Sequence, residues 1–264
     1  MSTDPRLERL LDFFRALGPT AVAFSGGVDS SLTLWAAATA LRDKALGVSI
    51  RSEFICGAER ERAERMAAFL GRGAGARVAV RSVSVLACER LRHNPEDRCY
   101  LCKQLVLAEV RAEATAAFGP AARMADGTNA DDDPARPGLR ALAEAGAVSP
   151  LAACGLTKRD VRELARLVGL PNAEDPSNSC LATRVPTGAE LTFARLTAIE
   201  GMERAARDQG LEDLRARLVP AKNGDAVRLQ VRPAQMLLAR SLARQLEERA
   251  HFIGFTHFEL GERT

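Results

Sequence analysis

The chain has 264 residues, of which 47% are hydrophobic and 27% are charged, and its formal net charge is +3. These proportions are ordinary for a globular protein and exclude wholesale disorder, while the small net charge argues against a nucleic-acid partner. The longest runs without a charged residue have 13 members, well short of the roughly 20 apolar residues that span a membrane. The amino end mixes acids, bases and apolar residues, unlike a signal peptide. We therefore expect a cytoplasmic protein with no membrane partner.

Helices and strands alternate along the first 170 residues. In chain order, the hydrophobic pattern predicts helix 7–17, strand 21–24, helix 29–41, strand 45–50, helix 58–70, strand 78–83, helix 99–118, strand 123–125, polar loop 126–137 and helix 158–168. Thr157 and Asp160 form a capping-box pattern at the start of the last helix. Strands that alternate with helices of this length indicate an α/β fold with a parallel sheet covered on both faces.

The composition changes at residues 170–188, an irregular stretch rich in proline and asparagine. Beyond it we predict helix 190–209, strands 214–219 and 225–231, helix 234–249 and strand 256–260. The pair Asn223 and Gly224 is typical of a hairpin turn between the two middle strands. We therefore predict two domains, an α/β domain at 1–186 and a small α+β domain at 187–264.

The most informative local pattern is Ser-Gly-Gly-Val-Asp-Ser-Ser, which follows a predicted strand and opens a predicted helix. Its two glycines let backbone N–H groups approach a phosphate closely, and the helix N-terminus adds partial positive charge. Its hydroxyls are further donors, and its aspartate is suited to Mg²⁺. The pattern matches neither the Walker nor the dinucleotide-binding motif, and a plain capped glycine turn is the alternative. The predicted nucleotide-binding residues here are Ser25, Gly26, Gly27, Asp29, Ser30 and Ser31.

This run resembles the PP-loop of the ATP pyrophosphatase superfamily. Members of that superfamily cleave ATP between the α and β phosphates, adenylylate an oxygen of the substrate and release pyrophosphate. The resemblance implies a Rossmann-like sheet of the adenine nucleotide alpha hydrolase type, with ATP and Mg²⁺ as cofactors. It does not indicate which substrate is activated.

Three further segments narrow the family. They are Asn94-Pro-x-x-Arg-Cys-Tyr-x-Cys-Lys103, Asp126-Gly-Thr-Asn-Ala-Asp-Asp132, and Pro176-x-x-x-Cys-Leu-Ala-Thr-Arg-x-Pro-x-Gly188. With the PP-loop, and in this order, they resemble the LarE family of ATP-dependent sulfur transferases along the whole chain. The resemblance implies that ATP activates the carboxylates of a pyridinium-3,5-biscarboxylic acid mononucleotide and that a sulfur nucleophile displaces AMP. The thiocarboxylate product belongs to nickel-pincer nucleotide cofactor biosynthesis, and we expect a homo-oligomer.

Three of the six cysteines stand out, because Cys99 and Cys102 form a C-x-x-C and Cys180 lies in the irregular stretch. The others lie among small apolar residues that are typical of a core. In one variant of the family a single cysteine, here Cys180, donates its sulfur and becomes dehydroalanine. In the other, three cysteines bind a [4Fe-4S] cluster whose open iron carries the transferred sulfide. We favour the three-cysteine type, with Cys99, Cys102 and Cys180 as metal ligands; a zinc site, which normally has a fourth ligand, is a further alternative.

The remaining predicted site residues flank these motifs. Asn129, Asp131 and Asp132 are expected at the adenylate, with a plain asparagine–aspartate turn as the alternative. Arg184 is expected beside the substrate because it lies four residues beyond Cys180. Alternation along a strand puts Arg215 and Arg217 on one face, where they resemble the paired arginines that hold the substrate phosphate in the family. The predicted catalytic residues are Asp29, Cys180 and Arg184, and the predicted substrate-binding residues are Lys103, Arg136, Arg140, Arg184, Arg215 and Arg217.

Two other functions are compatible with parts of this pattern. A PP-loop tRNA thiolation enzyme also pairs a C-x-x-C and a third cysteine with a cluster, but the low net charge and the few aromatic residues disfavour it. A non-catalytic ATP-binding module would leave the three cysteines without a role. The chain departs from the family pattern at Gln230, where an acidic metal-binding residue is expected, which disfavours a carboxylate metal site in the second domain.

Overall fold

The computed structural model describes residues 4–176, 178–221 and 224–263. Its contacts divide the chain into two compact units. Unit 1 comprises Met1–Ser52, Ala58–Val83 and Asp97–Asn178, and unit 2 comprises Glu53–Gly57, Ser84–Glu96 and Ser179–Thr264. The predicted division was a single cut between residues 186 and 187, whereas unit 2 also takes two short early segments and its main part begins at Ser179.

The helices and strands follow in chain order as α1 (Pro5–Leu17), β1 (Thr20–Ala23), α2 (Val28–Leu41), β2 (Ala45–Arg51), α3 (Gly57–Ala74), β3 (Arg77–Ser82), α4 (Glu89–Arg92), α5 (Arg98–Phe118), β4 (Arg123–Ala125), α6 (Pro137–Glu144), α7 (Pro150–Ala153), α8 (Lys158–Leu167), α9 (Phe193–Asp208), β5 (Arg215–Ala221), β6 (Gly224–Val231), α10 (Met236–Ser241), α11 (Ala243–Ile253) and β7 (His257–Glu262). Among the described residues, no helix is both long enough and apolar enough to cross a membrane.

Unit 1 is built on a parallel sheet with the strand order β3-β2-β1-β4. Successive side chains of a strand point to opposite faces, and β1 shows this directly. Val22 packs into a core with α1, α2 and α8, whereas Ala21 packs into a second core with α5. The sheet is therefore covered by helices on both faces, which confirms the predicted α/β class.

The strand order also indicates where a sheet of this kind would bind a ligand. From β1 the chain moves to β2 and β3 on one side, and it then returns to β4 on the other side of β1. In open α/β sheets, ligands bind beyond the carboxyl ends of the strands where the order switches in this way. The residues at that position are the turn after β1 and the loop after β4.

Unit 2 carries a second, smaller sheet with the order β5-β6-β7, and α9 and α11 pack against it. β5 and β6 pair antiparallel, with Arg215 opposite Gln230, whereas β6 and β7 pair parallel. The small α+β unit and its hairpin pairing are thus confirmed. Asn223, the predicted turn residue, lies outside the described residues.

Three stretches differ from the predicted elements. The short helices α4, α6 and α7 occupy two regions in which no helix was predicted. The predicted helix 234–249 is split into α10 and α11. At the split, the hydroxyl of Ser241 donates to the carbonyl of Leu238 at 2.8 Å, a local bond that competes with the regular helical pattern.

Candidate active site

The run between β1 and α2 forms a tight turn. Gly26 adopts a φ of 76°, and a Cβ atom at this position would lie 2.5 Å from the Cα atom of Ala63. Only glycine meets both conditions. Ser30 closes the turn, because its Oγ accepts from the N–H of Ser25 at 3.2 Å and donates to the carbonyl of Gly27 at 3.1 Å. The turn therefore leads directly into the N-terminus of α2, where anions bind favourably.

The three predicted hydroxyl donors of this turn differ in exposure. Ser25 is exposed, whereas Ser30 and Ser31 are buried. The Oγ of Ser31 accepts from Nδ2 of Asn172 at 3.0 Å, and the same Nδ2 donates to the carbonyl of Gly26 at 2.9 Å. Ser31 and Asn172 thus support the turn from within the protein, and Ser25 lies on its outer surface.

Asp29, in the first turn of α2, is the centre of a group of polar side chains. Its Oδ1 accepts from Nδ2 of Asn129 at 3.2 Å, and its Oδ2 accepts from Nζ of Lys158. The backbone N–H of Lys158 donates to Oδ2 of Asp131 at 2.8 Å. The structure thus brings together three predicted residues from two motifs and adds a lysine that sequence analysis missed.

The loop after β4 approaches the start of α2 closely. A Cβ atom on Gly127 would lie 2.8 Å from the backbone nitrogen of Ser30, so this contact also requires glycine. Asp126 is buried and shapes the loop, because its carboxylate accepts from the N–H and hydroxyl of Thr128 at 3.1 and 2.7 Å and from the hydroxyl of Ser149 at 2.8 Å. The asparagine–aspartate loop is therefore ordered at the site.

Two predicted substrate-binding cations lie beside this loop. The Nζ of Lys103 is 3.9 Å from Oδ2 of Asp126. Arg136 is exposed and pairs with Asp132. Lys103 is half-buried and Arg136 is exposed, so both positive charges are accessible at the loop after β4.

Helix α5 begins with the C-x-x-C, and Cys99 is exposed while Cys102 is half-buried. Residues three apart lie on the same face of a helix. Between them, the hydroxyl of Tyr100 donates to Oε2 of Glu144 at 2.6 Å, which raises the pKa of Tyr100. The guanidinium of Arg140 lies 3.8 Å from the Tyr100 ring centroid, a cation–π contact. Arg140, predicted to bind substrate, thus stacks on Tyr100 of α5 and pairs with Glu144 of its own helix.

In unit 2, Cys180 precedes a short 3₁₀ turn at Leu181–Arg184. The N–H of Leu181 donates to the carbonyl of Phe54 at 2.9 Å. The side chain of Asn94 is fully buried, and its Nδ2 donates to two loop carbonyls at 2.9 Å each. The two early segments of unit 2 therefore hold the loop that carries Cys180.

Arg184 is buried beneath the same loop, with 1% of its surface exposed. Its Nε donates to Oε1 of Glu203 at 2.9 Å, and its Nη1 donates to the carbonyls of Ser179 and Cys180 at 2.6 and 3.1 Å. Glu203 is also fully buried, and its other oxygen accepts from Arg207 at 2.8 Å. A guanidinium without exposed surface is not accessible to a solute. Arg184 therefore positions the Cys180 backbone, which differs from the predicted direct contact with substrate.

The two predicted arginines of β5 differ from each other. Arg215 is buried, and desolvation together with the nearby guanidinium of Arg184 lowers its pKa. Arg217 is exposed, and it donates to Oε1 of Gln230 at 2.6 Å and to the carbonyl of Thr183 at 2.7 Å. Of the pair, Arg217 presents an accessible cation beside the Cys180 loop.

The surroundings of Arg215 carry an excess of positive charge. Arg184, Arg207 and Arg217 all lie close enough to lower its pKa, and Glu203 opposes them. The carboxylate of Asp213 lies 3.9 Å from the guanidinium of Arg215. Because arginines outnumber carboxylates here, this part of unit 2 favours an anionic ligand.

The structure places two of the three predicted cysteine ligands at the start of one helix, α5. Within the described ranges, no group of three or more His, Cys, Asp or Glu side chains is arranged to hold a metal ion. Cys99 and Cys102 belong to unit 1 and Cys180 to unit 2, so neither unit alone contains the three predicted ligands. Two thiols one turn apart at an accessible helix start fit part of the thiolate set of an iron–sulfur cluster. The three-cysteine cluster stays a prediction.

Sequence analysis missed four residues that shape the site, namely Asn94, Lys158, Asn172 and Glu203. Two of them carried a signal: Lys158 is one of only four lysines and follows a capping threonine, and Asn94 opens the motif that contains the C-x-x-C. Asn172 and Glu203 carried none, because their roles depend on burial.

Comparisons with known proteins identify relatives that match most of the chain. No protein-family profile matches the chain. An uncharacterized protein of Synechocystis sp. is 32% identical over 236 residues, which cover 88% of this chain and 84% of that protein. The pyridinium-3,5-bisthiocarboxylic acid mononucleotide synthase of Lactiplantibacillus plantarum is 31% identical over 229 residues, which cover 86% of this chain and 79% of the synthase. An uncharacterized protein of Methanocaldococcus jannaschii is 31% identical over 128 residues, 48% of this chain and 49% of that protein. From the shared identity with the synthase over most of both lengths, the chain belongs to the LarE family.

Proposed function

We propose that the protein is an ATP-dependent sulfur transferase that converts the carboxylates of pyridinium-3,5-biscarboxylic acid mononucleotide into thiocarboxylates, with release of AMP and pyrophosphate. The observation that carries the proposal is the group formed by Asp29, Asn129 and Lys158 at the N-terminus of α2. The L. plantarum relative, whose name gives the bisthiocarboxylic acid mononucleotide as its product, supports the acceptor.

The first step activates a carboxylate, because its oxygen leaves poorly as it stands. A carboxylate oxygen attacks the α-phosphorus of ATP, the bond between that phosphorus and the bridging oxygen breaks, and pyrophosphate leaves with the electron pair. Backbone N–H groups at the start of α2 and the ammonium of Lys158 stabilise the negative charge that develops on pyrophosphate. Asp29 would hold Mg²⁺, which neutralises phosphate charge when bound.

The second step transfers sulfur. A sulfur nucleophile attacks the carbonyl carbon of the acyl adenylate, the bond from that carbon to the AMP oxygen breaks, and AMP leaves with the electron pair. Cys99, Cys102 and Cys180 would hold the [4Fe-4S] cluster, which supplies a bound sulfide to such a reaction. Arg184, Glu203 and the Asn94 side chain keep the backbone of the Cys180 loop in place during this step.

The alternative donor is Cys180 itself. Its thiolate Sγ would displace AMP to give a thioester. Removal of the Cα proton then breaks the Cβ–S bond, which leaves the thiocarboxylate on the substrate and dehydroalanine in the chain. This route consumes one protein molecule for each sulfur atom transferred.

Arg217 is the cation that we assign to the phosphate of the mononucleotide, because it is exposed beside the Cys180 loop. The excess of arginine around Arg215 supports an anion there. In unit 1, Lys103 and Arg136 are available to anionic groups of either substrate. Arg140, whose guanidinium is stacked on Tyr100, stays a predicted substrate-binding residue.

Anaerobic incubation with ATP, Mg²⁺, sulfide and the mononucleotide tests the reaction. We expect AMP and pyrophosphate in equal amounts, and a substrate mass gain of about 16 Da for each oxygen exchanged for sulfur. Thiolation of bulk tRNA in place of the mononucleotide would overturn the acceptor. ATP binding without pyrophosphate release would overturn the enzyme and leave a binding module.

Whole-protein mass spectrometry distinguishes the two sulfur donors. For the cluster we expect iron and acid-labile sulfide in the anaerobic protein, repeated turnover with sulfide, and loss of transfer in each of Cys99→Ala, Cys102→Ala and Cys180→Ala. The matched control is Cys88→Ala, which lies outside the motifs. A loss of about 34 Da at Cys180 after one round, with Cys99→Ala still active, contradicts the cluster and identifies the sacrificial route.

A further inference from the structure

Asn172 lies in the segment after α8 and is 3% exposed. Its Nδ2 makes two hydrogen bonds, to the carbonyl of Gly26 in the turn and to Oγ of Ser31 in the first turn of α2. A carbonyl only accepts hydrogen bonds, so the amide nitrogen must face Gly26. One side chain thus joins the turn to the helix that follows it.

The other end of the same amide is unusual. Oδ1 of Asn172 is buried and has no hydrogen-bond partner within residues 4–176, 178–221 and 224–263. A buried acceptor without a hydrogen-bond partner destabilises the fold. The amide therefore contributes to the structure through its nitrogen, which holds the turn, and not through its oxygen.

The orientation of one peptide unit explains what the amide provides. In a trans peptide the carbonyl and the following N–H point in opposite directions. Because Asn172 holds the carbonyl of Gly26 inside the protein, the N–H of Gly27 must point outward. Its acceptor confirms this direction, since it is Oγ of the exposed Ser25 at 3.4 Å. Such an outward N–H is the group that binds a phosphate oxygen.

We propose that Asn172 is a positioning residue for the pyrophosphate portion of ATP, and this inference rests on the proposed ATP chemistry. It fixes the peptide between Gly26 and Gly27 so that an N–H faces the anion. Without its Nδ2 the peptide is free to rotate, which turns a carbonyl oxygen towards the phosphates and repels them.

Calorimetric titration of the full-length protein with magnesium pyrophosphate, ATP and AMP tests this role. We expect Asn172→Ala to weaken pyrophosphate and ATP binding about 10-fold, as loss of a hydrogen bond of this kind implies. Asn172→Asp should weaken them about 100-fold, because a carboxylate oxygen then faces the Gly26 carbonyl. AMP lacks the pyrophosphate portion, so its affinity should change much less.

Arg162→Ala is the matched control. Its guanidinium donates to the carbonyls of Ala173 and Asp175 at 2.7 and 3.1 Å. The variant therefore loosens the segment of Asn172 without removing the amide. We expect Arg162→Ala to lower the melting temperature and to keep the wild-type affinity for pyrophosphate.

Hydrogen exchange supplies a readout that does not depend on ligands. Residues 25–31 should exchange faster in Asn172→Ala than in wild type. If both Asn172 variants fail to fold, Ser31→Ala removes one of the two acceptors and should weaken pyrophosphate binding by a smaller factor, about 3-fold.

Three results would overturn the role: unchanged pyrophosphate affinity in Asn172→Ala or Ser31→Ala, an equal loss in Arg162→Ala, or an AMP affinity that falls as far as that of ATP. A wild-type protein that binds neither ATP nor pyrophosphate would instead overturn the proposed function.

Discussion

The two loops that carry the proposed chemistry are each tied down by an ion pair, and the pairs differ in depth. In unit 1, the side chains of Asp29 and Lys158 are 24% and 32% exposed; in unit 2, both side chains of the Glu203–Arg184 pair are almost completely buried. A partly exposed pair exchanges its partner for a ligand charge at little cost, whereas a buried pair cannot open without leaving an unpaired charge. The first pair is therefore suited to chemistry and the second to holding shape.

A buried asparagine supports each loop, and here too the loops differ. Asn172 binds one carbonyl and one hydroxyl at the phosphate turn, while Asn94 binds carbonyls of the Cys180 loop from a backbone with a φ of 45°. Neither Oδ1 has a hydrogen-bond partner in the described part of the chain. Because Asn172 holds a carbonyl inward, the phosphate turn presents N–H groups. Asn94 instead occupies carbonyls of the Cys180 loop.

The largest effect should come from Asp29→Asn. Without the carboxylate the site loses its proposed Mg²⁺ ligand and the partner of Lys158, so AMP formation should fall by about 1,000-fold or more. Because the pair is partly exposed, the melting temperature should stay close to that of wild type. The measurement is AMP release by chromatography. Wild-type AMP release from the folded variant would remove Asp29 from the mechanism.

The next effect concerns the deep pair. Glu203→Gln leaves the Arg184 charge buried without its carboxylate, so the free energy of unfolding should fall by about 3–5 kcal/mol. Urea unfolding measures this change. The control is Glu259→Gln, which removes an exposed partner of Arg228 and should change stability by no more than about 0.5 kcal/mol. Equal losses of unfolding free energy in the two variants would contradict the conclusion that the buried Glu203–Arg184 pair holds the shape of the loop.

Arg217→Gln tests whether unit 2 binds the mononucleotide while unit 1 binds ATP. Removing the exposed cation beside the Cys180 loop should raise KM for the mononucleotide about 10-fold, because a charge-assisted hydrogen bond is lost, while KM for ATP stays the same. The control variant is Arg228→Gln, because Arg228 lies directly opposite Arg217 on β6. A rise in KM for ATP alone would place the substrate phosphate elsewhere.

The smallest effect concerns the helix that presents Lys158. Hydrogen bonds from Thr157, together with Arg6, lower the pKa of Asp160 to about 2 from an ordinary value of 3.8. A lowered pKa stabilises the fold above the unfolded value, and that contribution is lost as the pH falls through the folded value. Asp160→Asn should therefore cost about 1 kcal/mol at pH 7, and the difference from wild type should shrink between pH 4 and pH 2. Urea unfolding across this range checks the prediction; a constant difference would contradict it.

Part of the site follows from sequence because it is local. Gly26 and Gly27 lie between a strand and a helix that the hydrophobic pattern predicts, and the turn forms as expected. The loop that contains Asn129 joins it because strands of a parallel sheet have their carboxyl ends at one edge. The meeting of these two loops was therefore within reach of the pattern, whereas the strand order was not predicted.

The rest of the site depends on how deeply each side chain is buried, which the spacing of residues in the sequence does not determine. Arg184 follows Cys180 by four residues whether it faces a substrate or a buried Glu203, and only tertiary packing decides between these positions. Arg140 was predicted at the substrate because it follows the asparagine–aspartate loop, and spacing gave no sign that its guanidinium would stack on the ring of Tyr100 on another helix. Lys158 reaches Asp29 across 129 residues of chain, a pairing that no local pattern specifies.

The assembly of unit 2 from three stretches of chain bears on how the protein is made. Phe54 and Asn94 leave the ribosome long before the loop whose groups they bind. At typical synthesis rates the interval is on the order of ten seconds. Unit 2 must therefore complete its folding late, around segments that have already emerged. A recombinant piece beginning at Ser179 would lack both early partners, so the Cys180 loop requires the upstream chain from the moment of translation.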